Sequence, residues 1–358
     1  MSSVSPKELL RPLAATLTRG WGPRSRLVLV GEGAGWSIDH DLRELGRIAT
    51  RLGVRLASPK LVGVARGQAV FFGSQFTLLR DPWRPYPHAL GTAYFHGRPG
   101  TPQMPEFDVA YATLRAHHRE IERLQVTHEE MHELVLSTGI DPAKVFRIPI
   151  AVDVALFTRQ TPAMRAEARR ALDLPVEAFV VGSFQKDGIG WAEGMEPKLI
   201  KGPDVLLEAM RLLRERRPEL HVLLSGPARG YVRAGLDRLG IPYTHARVDR
   251  YEVIAQLYSA LDVYVVPSRQ EGGPKGVLEA MAAGVPVVST RVGQAAELIR
   301  DGGNGRLVDV DDAEALAEQL ASVDGSTVAE GVATARANTY EAQTPLWRAF
   351  FEGFVAHA

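Results

Sequence analysis

The sequence predicts an α/β protein built from two Rossmann-like domains. From Arg26 onwards, short apolar segments typical of buried strands alternate with segments of helical periodicity. A second alternating series begins at Phe179, after a linker-like stretch rich in Arg, Ala and Pro at residues 158–175. The chain of 358 residues is long enough for two domains with separate cores. We therefore predict a first domain at residues 1–175 and a second at 176–340.

The first domain begins with a buried strand at residues 26–30, a glycine loop at 31–36 and a helix from Ser37. Three glycines at fixed spacing and a downstream acid would indicate a dinucleotide site. Here the third glycine is missing from that spacing, and no Asp or Glu falls where the ribose-binding acid would lie. The loop can still admit a phosphate or a sugar to the helix start, which makes Gly33 and Gly35 candidate ligand-binding residues.

A histidine ends one of the later strands of the first domain. We predict strands at 69–72, 91–95 and 123–128, and helices at 107–118 and 129–137. His96, which is followed by glycine, stands at the C-terminal edge of the second of these strands. Open α/β sheets place ligand-binding residues at that edge, so His96 is a candidate functional residue, with a structural histidine as the alternative.

The second domain repeats the alternation of strands and helices. We predict strands at 179–184, 221–224 and 285–290 and one ending at residue 267, and helices at 204–216, 251–260, 312–323 and 347–355. The glycine of Ser225-Gly226-Pro227 follows a strand edge and is a further candidate. Asp309 and Asp311 precede a helix and are better explained as its N-terminal cap than as a metal-binding pair, so no metal site is predicted.

One stretch, at residues 268–290, combines a strand end, a glycine-containing loop, a helix and a second strand. The loop carries Gly272 and Gly273, and the helix begins at Pro274 and ends at Gly284. Free backbone N–H groups at a helix N-terminus suit an anionic phosphate. Carboxylates on either side of such a site gain nothing from a phosphate, but each can accept two hydrogen bonds from a vicinal diol. A nucleotide sugar presents diols on both sides of its diphosphate.

Composition excludes several function classes. The 42 basic and 42 acidic residues balance, so no general attraction to nucleic acid is expected. Cysteine is absent, which excludes disulfides and thiolate chemistry. No apolar run reaches the length of a membrane span, and no secretory h-region is evident, so we expect a cytoplasmic protein. The basic residues 1–24, with a predicted helix at 6–17, allow at most peripheral contact with a membrane.

Two glutamates separated by seven residues, Glu271 and Glu279, stand within the sequence EGGPKGVLEAMAAGVPVV. At these residues the chain resembles the retaining glycosyltransferases of family four. The resemblance implies the glycosyltransferase B fold, in which two Rossmann-like domains face each other across a cleft. The second domain would bind a UDP- or GDP-linked sugar and the first an acceptor, while a C-terminal helix at 341–358 would cross back to the first domain.

The resemblance also implies roles for individual residues. Glu271 would bind the hydroxyls of the donor sugar and Glu279 the ribose, and Lys201 would bind the diphosphate. His96 would lie close to the donor sugar. The complete set of donor-binding candidates is Gly33, Gly35, Gly226, Arg247, Val248, Gly272, Gly273, Pro274, Lys275, Gly276, Val277 and Glu279. Within it, Arg247 and Val248 would lie along the edge of the base.

The chain departs from the family at Ser183, where members usually carry an arginine that would share the charge of the diphosphate. A leaving diphosphate needs more than one cation if no metal is used. Lys186 lies three residues further on, in an insertion at 185–199, and we predict that it replaces the arginine. Lys198 is the weaker candidate, and an outward-facing surface loop is the alternative.

These expectations describe a metal-independent, retaining hexosyltransferase with His96, Glu271, Lys201 and Lys186 as catalytic residues. No carboxylate is placed to attack the anomeric carbon, so we favour a front-face route in which the leaving diphosphate helps to deprotonate the acceptor. The acceptor would be a sugar, a lipid-linked molecule or a small molecule, and no cofactor is expected. The alternatives are a non-catalytic nucleotide-sugar-binding protein, a sugar-phosphate synthase or a sugar epimerase on the same fold.

Overall fold

The computed structural model describes residues 24–33, 35, 37–63 and 66–356. The chain divides into two compact units. The first contains the residues up to Gly100, Pro105–Ile148 and the residues from Tyr340 onwards. The second contains Thr101–Met104 and Pro149–Thr339. The basic lead-in and its predicted helix at 6–17 lie outside the described residues.

The first unit is built on a parallel six-stranded sheet in the order β2-β1-β3-β4-β5-β6. Its strands are β1 (Leu27–Val30), β2 (Leu56–Ala57), β3 (Ala69–Phe72), β4 (Ala89–Ala93), β5 (Ile121–Val126) and β6 (Val145–Arg147). Its helices before the second unit are α1 (Ser37–Arg51), α2 (Gln75–Leu78), α3 (Pro105–His117) and α4 (Glu129–Leu136), with 3₁₀ turns at Pro59–Leu61, His118–Glu120 and Pro142–Lys144.

The central strands β3 and β4 of the first sheet are wholly buried because they are almost entirely apolar. All residues of β3 are buried, as expected for a central strand of a parallel sheet covered on both faces. Phe71 of that strand packs edge-on against Phe350 at 5.3 Å and Trp347 at 5.7 Å between ring centroids. Those two aromatic residues belong to the C-terminal helix of the chain, Thr344–Phe351. This helix is therefore part of the core of the first unit.

The second unit also contains a parallel six-stranded sheet, in the order β12-β11-β10-β7-β8-β9. Its strands are β7 (Phe179–Ser183), β8 (Leu220–Ser225), β9 (Tyr243–Ala246), β10 (Val263–Val266), β11 (Val287–Thr290) and β12 (Arg306–Val308). Its helices are α5 (Pro162–Ala171), α6 (Pro203–Arg216), α7 (Gly230–Leu239), α8 (Ile254–Tyr258), α9 (Lys275–Ala283), α10 (Gly293–Leu298), α11 (Ala313–Ala321) and α12 (Val328–Ala337), with 3₁₀ turns at Leu199–Lys201 and Tyr251–Val253; α13 is the Thr344–Phe351 helix of the first unit.

The stretch at 158–175 is not an irregular linker. It contains helix α5, in which buried Arg169 donates to Asp262 Oδ2 at 2.6 Å and to the carbonyl of Ala260 at 3.1 Å. Phe157 and Leu174, on either side of this helix, are buried in the core of the second unit. The division between the units therefore falls at residues 148 and 149 rather than at 175 and 176, because the intervening chain buries its apolar side chains in the second unit.

Helix ends agree with the local sequence signals at several points. Asp312 caps α11 by accepting a hydrogen bond from the backbone N–H of Ala315 at 2.8 Å, so the cap lies one residue after Asp311 rather than at the predicted Asp309 and Asp311. Gly284 ends α9 in the left-handed conformation at φ 71°. Pro274 lies one residue before the helix, at the N-cap, rather than at the first helical position. None of the helices in the described part of the chain combines the length and the hydropathy needed to cross a membrane.

Candidate functional site

The strand order of the second unit reverses between β7 and β10. The chain runs outwards from β7 through β8 to β9, and then returns to the other side of β7 with β10, β11 and β12. In open α/β sheets, ligands bind outside the carboxyl ends of the strands at such a switch point. Ser183 ends β7 and Val266 ends β10, so the loops that follow them flank this position.

Glu271 and Lys201 form an ion pair at this switch point. Lys201 Nζ lies 2.6 Å from Glu271 Oε2, and Ser268 Oγ donates to the other carboxylate oxygen at 2.8 Å. Both charged side chains are largely buried, with 22% of the lysine and 11% of the glutamate side chain exposed. The ammonium group and the carboxylate thus reach the same small region from two different loops.

A glycine brings the lysine loop close to the strand end. Gly202 follows Lys201 at φ 61°, and a Cβ atom there would lie 1.9 Å from the carbonyl oxygen of Pro267. No other residue could occupy this position without moving one of the two loops. Arg269 holds the same loops together, since its guanidinium donates to both carboxylate oxygens of Asp204 at 2.8 and 2.7 Å.

The start of helix α9 is packed tightly against neighbouring side chains. A Cβ at Gly276 would lie 2.3 Å from the hydroxyl oxygen of Tyr264, and a Cβ at Gly273 would lie 2.6 Å from Ile150 Cγ1. Gln294 donates to the carbonyl of Ile150 at 3.1 Å and accepts from its N–H at 2.7 Å. These contacts fix the backbone of the loop that contains Gly272 to Val277.

Glu279 lies in the second turn of α9 and is buried. Tyr258 donates to Glu279 Oε2 at 2.7 Å, and the hydroxyl of Tyr251 donates to Oε1. Burial raises the pKa of Tyr258, and the neighbouring carboxylate adds to this shift, so the phenol remains a donor. Lys275 Nζ lies 5.4 Å from the ring centroid of Tyr251. The carboxylate that was predicted to bind a ribose is therefore hydrogen-bonded to two tyrosines.

Lys186 lies on the insertion that follows β7 and is half-buried. Its ammonium group donates to the carbonyl of Gly188 at 3.2 Å and lies 4.9 Å from the ring centroid of Trp191. Burial lowers the pKa of Lys186, and the positive charge of Lys201 lowers it further. Gln185, the residue before Lys186, donates from Nε2 to the carbonyl of Lys201 at 2.7 Å, so Lys186 lies on a segment that contacts the Lys201 turn.

Ser183 does not leave an empty place at the end of β7. The buried guanidinium of Arg229 donates to the Ser183 hydroxyl at 3.0 Å and to the Ser183 carbonyl at 2.5 Å. Arg229 Nε also lies 2.9 Å from Asp187 Oδ1, and neither side chain is exposed. An arginine from another strand end therefore occupies the space beside Ser183, paired with an aspartate.

The remaining candidates of the second unit lie at the ends of β8 and β9. The carbonyl of Gly226 interacts with the imidazole Nε2 of His245 at 2.8 Å. Burial lowers the pKa of His245, and Arg229, Arg233 and Arg247 contribute to the shift. Val248 packs against the apolar core of the unit. Arg247 and Val248 thus border a positively charged region next to Gly226.

In the first unit, the glycine loop after β1 is occupied by a carboxylate. The backbone N–H of Gly33 donates to Asp39 Oδ1 at 3.2 Å, and that of Gly35 donates to Oδ2 at 2.6 Å. A phosphate would meet the negative charge of Asp39 at this loop. The carboxylate of Asp39 therefore disfavours the phosphate-binding alternative for Gly33 and Gly35, and a sugar-binding loop and a plain tight turn both stay compatible with the structure.

His96 follows the end of β4 and is held among aromatic side chains. Its ring stacks on Phe76 with centroids 5.1 Å apart. The backbone N–H groups of Phe95 and His96 both donate to Gln75 Oε1, at 2.9 and 3.0 Å. The conformation of the chain at His96 is thus fixed by a buried glutamine that sequence reasoning did not identify.

The structure pairs Glu271 with Lys201 in the second unit, next to the start of α9, and places Lys186 on the adjoining segment, with its ammonium group at Gly188 and Trp191. Sequence reasoning missed Arg229, Tyr251, Tyr258 and Gln294, which contact these residues or their loops. The signal available for Arg229 was its position three residues after the strand-end Gly226, but its partner Asp187 is remote in sequence. The tyrosines resemble ordinary core residues, and nothing in their spacing indicates Glu279 as their partner.

Comparison with known proteins identifies a family for part of the chain. Residues 187–323 match the family described as Glycosyl transferases group 1. The D-inositol 3-phosphate glycosyltransferase of Thermomonospora curvata is 35% identical over 203 residues, 51% of this chain and 44% of that protein. That of Mycolicibacterium vanbaalenii is 31% identical over 248 residues, 64% of this chain and 51% of that protein. The chain thus spans about half the length of the curated relatives it matches.

Solved structures resemble the chain over most of its length. Anabaena Alr3699/HepE in complex with UDP and glucose has a TM-score of 0.71 at 16% identity, covering 92% of this chain and 100% of that one. Sucrose-phosphate synthase from Thermosynechococcus elongatus has a TM-score of 0.70 at 19% identity, with the same coverage. The predicted fold with two Rossmann-like domains is confirmed, as is the resemblance to glycosyltransferases that the glutamate motif indicated.

Proposed function

We propose that this protein, whose residues 187–323 match the glycosyl transferases group 1, is a retaining hexosyltransferase. It would move a hexosyl unit from a nucleotide-diphosphate sugar to an acceptor hydroxyl. The observation that carries the proposal is the Lys201–Glu271 ion pair beside the start of helix α9 at the switch point. This arrangement supplies a cation and backbone donors for a diphosphate and a carboxylate for sugar hydroxyls within one region.

The donor would lie along the ends of β7, β8 and β10. Its diphosphate would contact Lys201 and the backbone of the loop from Gly272 to Gly276, with Lys186 as the second cation. Its hexose hydroxyls would bind Glu271. To accept their hydrogen bonds, the carboxylate would give up part of its contacts with Lys201 and Ser268. Its ribose would bind Glu279, and its base would lie near Arg247 and Val248.

The reaction would proceed on one face of the sugar. The bond between the anomeric carbon and the diphosphate oxygen breaks, and the acceptor oxygen bonds to the same face of that carbon. The acceptor proton passes to an oxygen of the leaving diphosphate. Lys201 and Lys186 stabilise the negative charge that grows on the leaving group, so the reaction would need neither a metal ion nor a cofactor. His96 would contact the donor sugar at the reacting end.

The donor to test first is UDP-linked. Anabaena Alr3699/HepE, which shares the fold, has been solved with UDP and glucose, and also with UDP-glucose. The relatives named D-inositol 3-phosphate glycosyltransferases suggest a phosphorylated cyclitol as one acceptor to include. Sugars, lipid-linked molecules and small alcohols complete the acceptor panel, because no described residue of this chain selects among them.

The experiment is to incubate the protein in EDTA with UDP- and GDP-hexoses, with and without each acceptor, and to measure free nucleoside diphosphate. We expect release that depends on acceptor and is lost in Glu271→Ala. Proton NMR of the product should show that the anomeric configuration of the donor is kept. A protein that is stabilised by sugar nucleotides but releases no diphosphate with any acceptor would instead be a non-catalytic binder. A sugar nucleotide at about 100 times its Kd should raise the free energy of unfolding of the protein by about 2.7 kcal/mol.

A further inference from the structure

Asp187 and Arg229 form a fully buried ion pair at the base of the insertion at 185–199. Arg229 Nε lies 2.9 Å from Asp187 Oδ1, and both side chains have no exposed surface. Removing two charges from water is costly, and apolar residues of similar size often replace such pairs without loss of stability. Stability alone is therefore a weak explanation for the presence of this pair.

The guanidinium joins three segments that meet at the switch point. It donates to the Ser183 carbonyl at 2.5 Å and the Ser225 carbonyl at 2.8 Å, which end β7 and β8. Asp187 is its partner on the insertion. The arginine thus ties the insertion to the carboxyl ends of two neighbouring strands, where ligands bind in this class of sheet.

The insertion is a folded element that contacts the start of helix α7. Within it, the N–H of Ile189 donates to the Glu196 carbonyl at 2.9 Å, closing a small hairpin. The N–H groups of Gly230 and Tyr231 at the helix start donate to the carbonyls of Glu193 and Gly194, at 2.6 and 3.0 Å. The hairpin is therefore anchored by backbone hydrogen bonds at its tip and by the Asp187–Arg229 pair at its base.

Lys186 directly precedes Asp187, so the direction of its side chain depends on how the hairpin is held. Gln185 Nε2 donates to the Lys201 carbonyl at 2.7 Å, and the N–H of Lys198 donates to the Asp187 carbonyl at 2.8 Å. These contacts hold the segment of Lys186 against the Lys201 turn although the two ammonium charges repel each other. Two cations held together by a rigid framework favour the binding of an anion that neutralises both. Glu271 neutralises Lys201 in part, since their charged atoms lie 2.6 Å apart.

We propose that the Asp187–Arg229 pair is a positioning device that holds Lys186 beside Lys201 to form a two-lysine site for a diphosphate. This inference rests on the proposed function for the identity of the ligand. Arg229 acts through Lys186, because its guanidinium donates to Ser183 and Ser225 and its charge is paired with Asp187 inside the protein. The positive charge for the ligand therefore comes from a lysine that a buried arginine orients.

The test is a double-mutant cycle read by calorimetric binding of inorganic pyrophosphate, which carries neither base nor sugar. The four proteins are the wild type, Lys186→Ala, the apolar replacement Asp187→Leu with Arg229→Met, and the triple variant. We expect Lys186→Ala to weaken binding about tenfold, as for the loss of one charge-assisted hydrogen bond. The apolar replacement should keep the melting temperature yet weaken binding by a similar factor, and the triple variant should bind no more weakly than the replacement.

Any of three results would overturn the inference. They are wild-type affinity in the apolar replacement, losses of affinity that add in the triple variant, and no binding of pyrophosphate by the wild type. Should the apolar replacement not fold, Asp187→Asn, which keeps the shape of the side chain, takes its place in the same cycle. The cycle is independent of turnover. If the protein transfers sugar but the losses in affinity add, the proposed function holds and the positioning role of the pair is wrong. If the losses do not add and no transfer is found, the diphosphate site holds and the proposed function is wrong.

Discussion

The two units contain the same kind of parallel sheet, yet the carboxyl ends of their strands differ in charge. In the second unit, Lys201 and Glu271 are paired at the switch point, and Lys186 lies on the segment that contacts the Lys201 turn. In the first unit, the carboxylate of Asp39 occupies the glycine loop, and His96 is held among aromatic rings. Under the proposed function, this difference assigns the anionic part of the donor to the second unit, while the first unit would offer hydrogen bonds and ring contacts.

The largest effect should come from removing a cation of the second unit. We expect Lys201→Ala and Lys186→Ala to lower kcat/KM by about 10²-fold or more, because each stabilises charge on the leaving diphosphate. Both are measured in EDTA and again with added magnesium. Lys198→Ala tests the weaker candidate of the insertion, and Lys60→Ala, an exposed lysine of the first unit, is the control. Wild-type activity in Lys186→Ala, or full dependence of the parent on a divalent metal, would remove Lys186 from the site.

A smaller effect is expected from the first unit. His96→Ala should lower kcat about tenfold, as for the loss of one hydrogen bond in the transition state, and change the affinity for UDP little. Phe76→Leu, which removes the stacked ring beside His96, controls for packing. Normal turnover together with a lower melting temperature would make His96 a structural residue.

Affinity for UDP should depend on pH through Lys186. Burial and Lys201 lower the pKa of this lysine, whereas a bound diphosphate favours its ammonium form. Binding should therefore be full below the lowered pKa and weaken as the pH rises through it, by about tenfold at most. Calorimetric titrations at neutral to alkaline pH measure this decline. Lys186→Arg keeps the charge throughout, so an unchanged decline in that variant would assign the titration to another group.

The smallest effect concerns the tyrosine on Glu279. Tyr251→Phe removes one hydrogen bond that Glu279 accepts, which leaves that carboxylate oxygen more available to a ribose hydroxyl. We expect the affinity for UDP to rise by about two- to tenfold, the usual range for one net hydrogen bond. Tyr258→Phe, on the other oxygen, is the matched variant. Weaker binding in Tyr251→Phe would show that the phenol orients the carboxylate for the ligand.

Sequence predicted the features that depend on local pattern. The strands β3 and β7 are buried apolar runs, and the loop and helix from Glu271 to Gly284 carry their own glycine signals, so both could be located from the chain alone. The helix within 158–175 was missed because a composition of Arg, Ala and Pro is typical of a linker as well.

The contacts that complete the site depend on residues that are remote in sequence. Arg229 meets Asp187 and Ser183 only because β7 and β8 are neighbours in the sheet. Glu279 was assigned to a ribose from the motif, but its two tyrosine partners follow from packing and have no signal in the spacing of the chain. The prediction that Lys186 replaces the arginine that the family usually carries, where this chain has Ser183, named the nearest cation in sequence. It could not foresee that another arginine fills that space.

The most direct test of the donor site compares its two glutamates by calorimetry with UDP and with a UDP-hexose. We use Glu279→Gln and Glu271→Gln, which keep the size of each side chain, and confirm folding by melting temperature. We expect Glu279→Gln to weaken the binding of both ligands, because the ribose is common to them. Glu271→Gln should not weaken the affinity for UDP, because it frees the Lys201 charge for the diphosphate, and should weaken only the UDP-hexose. Wild-type affinities of both variants for both ligands would contradict the placement of the donor between these carboxylates.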